Sequence, residues 1–133
     1  MTSVNDLSAG LTAEAAFKVT NKDTAPHLES GELAVLATPR MVAWVERTCA
    51  ELAERYLSPG QSTVGVQLQV EHVAPTPVGV EVQVSVELLD ASDQRLSFSA
   101  QVYNEIELIG KVVHQRVIID RQRFMKRVES KVS

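Results

Sequence analysis

The sequence lacks most of the features that classify a chain quickly. It has one cysteine, Cys49, so no internal disulfide can form and most cysteine-rich metal sites are excluded. That usage suits a reducing cytoplasm. There is no excess of positive charge: the net charge is −4, which gives no footprint for a nucleic-acid partner. No apolar run approaches the roughly 20 residues of a membrane helix. The opening MTSVNDLSAGLTAEAAF has no basic start followed by an apolar core, so it does not read as a signal peptide. Internal repeats and low-complexity linkers are absent, and so are GxSxG, a phosphate loop, HExxH and GxGxxG. The three histidines, His27, His72 and His114, have no metal-ligand spacing, so no metal is expected.

What is present is an ordinary globular composition, with 44% hydrophobic and 23% charged residues. A length of 133 residues fits one domain, 1–133, with 1–10 expected as a flexible lead-in. AAFKVT, Ala15–Thr20, alternates and predicts a short strand with Ala15, Phe17 and Val19 on one side. A turn-rich loop, Asn21–Glu32, precedes a helix that starts at Thr38-Pro39, with threonine as N-cap and proline at the first helical position. Ser58-Pro59-Gly60 stops this helix after Leu57. Beyond Gly60 the period becomes two. TVGVQLQVEHV places Val64, Val66, Leu68 and Val70 on one face. VEVQVSVEL and RLSFSAQVY repeat the alternation, with DASDQ between them as a hairpin turn. ELIGKVVHQRVII is the last strand, bent at Gly110. A short basic tail, DRQRFMKRVESKVS, closes the chain as a possible amphipathic helical segment. Short connections imply antiparallel neighbours, and the long helix is the only element able to cover the apolar sheet face. The expected fold is therefore α+β: an antiparallel sheet wrapped around one long central helix, the hotdog arrangement. A cystatin-like or cone-shaped α+β fold is the rival, and it usually carries more helix.

Several polar residues stand at apolar positions. On a helical wheel Met41, Val42, Val45, Cys49, Leu52 and Ala53 share an arc, and Glu46 falls inside it, while Trp44 falls among the charged residues opposite. A buried carboxylate must be partnered, protonated or beside a water-filled pocket. A structural glutamate at a subunit contact explains the pattern as well as a functional one. His72 continues the parity of Val64–Val70 at a strand end, where a satisfied structural histidine is the commoner outcome. Thr38 has a bland role as N-cap, although a helix start also offers N–H groups to an oxyanion. Arg116 shares the parity of Val112, His114 and Ile118, and on pattern alone an edge-strand charge is the simpler reading.

ATPRMVAWVE, TVGVQLQVEHVAPTPVG and HQRVIID, in this order and spacing, resemble the fluoroacetyl-CoA thioesterase-like group of hotdog proteins from about Leu36 to Arg127. The resemblance implies an acyl-CoA thioesterase that hydrolyses a small or medium acyl-CoA to free acid and CoA. It places the family's catalytic threonine, glutamate and histidine on Thr38, Glu46 and His72. It places a substrate-contacting glycine on Gly65 and an arginine on Arg116, for charge stabilisation or CoA binding. It further implies a homodimer with the site at the interface and no cofactor, CoA being part of the substrate. His72 would serve as general base and acid. Glu46 would orient water and His72 or attack as a nucleophile. The stretch APHLESGELA carries no aromatic residue where the fluoroacetyl-specific enzyme has phenylalanines in a lid, so fluoroacetyl specificity is not expected. Two alternatives remain at this stage: a non-catalytic acyl-CoA-binding hotdog protein, and a hotdog hydratase or dehydratase.

Overall fold

The computed structural model describes residues 7–132. Five strands form one antiparallel sheet in the order β1-β3-β4-β5-β2. They are β1 (Thr12–Lys18), β2 (Gln61–His72), β3 (Glu81–Ser92), β4 (Arg95–Tyr103) and β5 (Leu108–Asp120). The helix α1 (Thr38–Glu54) lies against the inner face, and a second helix, α2 (Arg121–Glu129), follows β5. The alternating apolar residues explain the sheet. Val82, Val84, Val86 and Leu88 of β3 and Leu96, Phe98, Ala100 and Val102 of β4 are all buried. Met41, Val45, Cys49, Leu52 and Ala53 of α1 seal them from water. Each such aliphatic side chain contributes about 1.5–3 kcal/mol relative to exposure. The β3–β4 hairpin turns at Asp93 and Gln94, whose φ angles of 52° and 69° are those of a tight two-residue turn.

The structure departs from the sequence pattern in instructive places. Residues 1–6 lie outside the described residues, but Leu7 packs into the core and Gly10 N–H donates to the Leu88 carbonyl, so 7–10 are not a loose lead-in. The first strand starts at Thr12, and its inward residues Ala13, Ala15 and Phe17 extend the expected alternation. Helix α1 ends at Glu54 rather than Leu57. Its N-cap is Ala37, with no side-chain cap, and Thr38 is already helical. Trp44, placed by the wheel among charges, is buried because β1 extends over it. Its ring stacks on Phe17 at 4.7 Å with a 7° interplanar angle, and the Arg47 guanidinium sits 5.8 Å from the Phe17 centroid.

The largest departure concerns β2. It is not the neighbour of β3, to which a short connection leads, but pairs with β5 at the opposite edge. A bulge interrupts that pairing: Gly65 faces Arg116, whereas Gln67 faces Gln115, leaving Val66 as the extra residue. Past the bulge the parity of β2 is reversed. Gly65 therefore lies on the inner face, opposite Arg116, and so does His72, opposite Gly110. Val64, expected on the face of Leu68 and Val70, is moved off it. Gly110 lets the end of the Met41 side chain approach the strand closely, since a Cβ there would lie 2.6 Å from the Met41 sulfur and displace it.

Trp44→Ala removes the indole stacked between helix and first strand. It is expected to lower stability by about 3 kcal/mol, read as a lower urea midpoint by circular dichroism at unchanged slope.

Candidate active site

Two polar clusters lie along α1. The first is at its start. Because Ala37, not Thr38, occupies the cap position, the Thr38 hydroxyl is spared from capping. It lies 2.7 Å from His72 Nδ1, brought there by the end of β2. His72 Nε2 is buried and has no hydrogen-bond partner in the protein. Burial pushes the His72 pKa below the ordinary histidine range, so the neutral ring is favoured. The pair opens into a cleft of about 320 Å³, whose walls include Ala25, Ser30, Val35, Ala74 and Pro75. Pro39 has no N–H, and the Arg40 and Met41 N–H groups donate to the Ala37 carbonyl, so the Thr38 hydroxyl and backbone N–H and the His72 ring are the polar groups that meet at this small cleft. That set can move a proton and hold a carbonyl oxygen.

The second cluster is two turns further on. Glu46 has a half-buried side chain, with Oε2 at 3.9 Å from Arg116 Nη1, an ion pair without a hydrogen bond. Arg116 is 8% exposed and spends its other donors nearby. Nε donates to Thr63 Oγ1 at 2.8 Å, Nη2 to the Thr63 carbonyl at 3.0 Å, and Nη1 contacts His114 Nε2 at 3.1 Å. The absence of a side chain at Gly65 makes room for this group: a Cβ there would stand 3.0 Å from Glu46 Oε2 and 3.0 Å from His114 Cε1. Burial holds the neighbouring Cys49 thiol protonated, its pKa pushed up to about 12, so it is no nucleophile.

Thr38 is thus brought to His72, and Glu46 to Gly65 and Arg116, but the two groups stay apart within one chain. Eight residues separate Thr38 from Glu46, about 12 Å along the helix. Gly65 and His72 are about 20 Å apart along β2. The expectation that Glu46 lies beside His72 and Thr38 does not hold inside a single protomer. Arg116 is not an edge-strand charge either, since β2 covers the edge of β5 and encloses it.

Comparison with known proteins decides the family. Residues 19–122 match the family described as fluoroacetyl-CoA-specific thioesterase. This chain belongs to that family. Its similarity to the fluoroacetyl-CoA thioesterase of Streptantibioticus cattleyicolor is 35% identity over 121 residues, covering 86% of this chain and 87% of the relative. A solved structure of the fluoroacetyl-CoA thioesterase superposes with a TM-score of 0.90 at 31% identity, covering 96% of this chain and 98% of that one. A hot-dog-like protein from Thermanaerovibrio acidaminovorans, at 20% identity and covering 94% and 93% of the two chains, has a TM-score of 0.87 and supports the hotdog fold alone.

Within this thioesterase family member, sequence reasoning missed two members of the second cluster. Thr63 carried no signal until the bulge placed it inward. His114 was visible on the parity of Arg116 but was considered only as a metal ligand. No group of three or more His, Cys, Asp or Glu able to hold a metal occurs among the described residues.

Both His72 and His114 are held below the usual histidine pKa by burial. The unfolded chain therefore binds more protons than the native one as pH falls through about 6.5, and the stabilisation present above that value is lost towards acid. Urea melts at pH 7.5, 6.5 and 5.5 are expected to show stability falling below about 6.5, and the H72Q/H114Q double variant to flatten that fall.

Proposed function

We propose that this protein hydrolyses the thioester of a small or medium acyl-CoA, releasing the free acid and CoA thiol, at a site shared between two copies of the chain. The observation that carries this reading is the Thr38–His72 pair at the start of α1, which lies on the wall of a small cleft and whose buried His72 Nε2 has no hydrogen-bond partner in the protein. Membership of a family described as thioesterases favours hydrolysis over acyl-CoA binding alone.

The shared site follows from the separation of the two clusters. β2 is an edge strand that exposes Val66, Leu68 and Val70. Two such edges pairing antiparallel about a two-fold axis bring the Gly65 end of one beside the His72 end of the other. Glu46 of one protomer then approaches Thr38 and His72 of its partner. The thioester carbonyl lies at the helix start, where the Thr38 backbone N–H and hydroxyl receive the developing oxyanion. Glu46 activates the water that attacks the carbonyl, or attacks it itself to give a mixed anhydride with loss of the thiolate, which water then cleaves to free acid and Glu46. His72 takes and returns the proton, which leaves with the CoA thiolate as thiol. Arg116, beside Glu46 and away from the surface, stabilises charge in this reading rather than gripping CoA.

The walls of the cleft narrow the substrate. Ala25, Ser30, Val35 and Pro75 offer no aromatic ring and no charged side chain. An uncharged acyl group fits these walls. The free, buried Cys49 fits a cytoplasmic location, and no described helix is long and apolar enough to cross a membrane.

Free-thiol release from a panel of short, branched and aromatic acyl-CoAs tests the activity. Glu46→Gln and His72→Ala are each expected to lower kcat by about a hundredfold or more with the protein still folded. Turnover near that of the wild type in either variant removes that residue from the mechanism. Leu68→Asp, on the exposed edge, is expected to give a folded monomer by analytical ultracentrifugation, with activity lost. A fully active monomer would refute the shared site.

A further inference from the structure

His114 is 1% exposed, carries two hydrogen bonds, and has no part in the chemistry above. Its partners fix its state. Arg116 is always protonated and can only donate, so the 3.1 Å contact from Nη1 makes His114 Nε2 the acceptor. The 2.8 Å contact between Nδ1 and the Gln67 carbonyl makes Nδ1 the donor. The ring is therefore neutral and in one tautomer, and Gln67, the first residue past the β2 bulge, selects that tautomer. Phe98 of β4 stacks on the other side of the ring at 6.5 Å between centroids. The charged and titratable groups that bear on it are Glu46 from α1 and Arg116 from β5, with Cys49 close to both.

The consequence falls on Arg116. Two contacts to Thr63 hold Nε and Nη2, and His114 holds Nη1. With one N–H of each of its three nitrogens anchored in this way, the guanidinium faces the Glu46 carboxylate at 3.9 Å without hydrogen-bonding it. A free Arg–carboxylate pair closes to about 2.8 Å and is commonly bidentate. We propose that His114 is a positioning residue: by accepting from Arg116 Nη1 it holds the guanidinium back from Glu46, so that the carboxylate has a fixed positive neighbour yet keeps its oxygens free to react. The inference rests on the thioesterase reading for its effect on rate, but its geometry stands without it.

Two substitutions separate the two bonds of the ring. In His114→Gln the side-chain carbonyl can take the place of Nε2 and still accept from Arg116. In His114→Asn the amide can take the place of Nδ1 and keep the bond to Gln67, but nothing accepts from Arg116. Without that acceptor Nη1 closes on Glu46 and draws it out of position. The expected result is that H114N loses about tenfold or more in kcat with KM nearly unchanged, whereas H114Q stays within about threefold of wild type. Equal loss in both variants, following loss of thermal stability, would mean that the ring only fills space and would overturn the proposal. A readout independent of folding and turnover is the nitrogen-15 NMR spectrum of His114 in the wild-type protein. A protonated Nδ1 and bare Nε2 between pH 6 and 8 is expected. A proton on Nε2 would overturn the proposal even if the enzyme is active. Absence of turnover in the wild type itself would instead overturn the thioesterase reading, and the NMR result would still decide the role of His114.

Discussion

A sheet with one apolar face must cover it, and α1 is the only long element that this chain offers for the task. That constraint fixes more than stability. Once Met41, Val45, Cys49 and Leu52 are turned into the sheet, the start of the helix and Glu46 have set positions along its inner edge. The Thr38–His72 pair and the Glu46–Arg116 pair are therefore held by the same hydrophobic contact that folds the chain. Their spacing is a helix rise multiplied by eight residues, and side-chain motion cannot alter it.

The second constraint is a single extra residue. Without the bulge at Val66, a strict alternation would put Gly65 and His72 on opposite faces, because an odd number of positions separates them. With it, the glycine that makes room for Glu46 and the histidine that meets Thr38 share one face. The residue that breaks the regular ladder is what lets one strand serve both clusters.

Much of this was legible in the sequence, for physical reasons that can be named. β3 up to Leu88 and β4 were readable because they are central strands with one dry face, where alternation is enforced, but past an irregularity after Leu88 β3 continues to Ser92 through residues expected as turn. Glu46 and His72 stood out because a polar side chain in an apolar row is expensive unless something meets it. Of the two roles read for Thr38, the cap was misplaced: threonine before proline signals a cap, but the cap fell one residue earlier and left the hydroxyl for His72. Trp44 was misplaced because a wheel knows only its own helix, and the wall that buries it comes from β1. The order of β2 in the sheet was hidden because a short connection does not reveal that a curled sheet brings distant strands within its span. Thr63 was hidden by the bulge, which periodicity cannot register, whereas His114 was in view on the parity of Arg116 and lacked only a reason to be singled out.

The two borders of the sheet are unequal. β1 is short and carries Glu14 and Lys18, which discourage strand addition, whereas β2 runs for 12 residues and presents Val66, Leu68 and Val70 to solvent. Such a border is a template for any extended chain, including a partly folded copy. The hazard grows with concentration, because strand addition between chains is at least bimolecular.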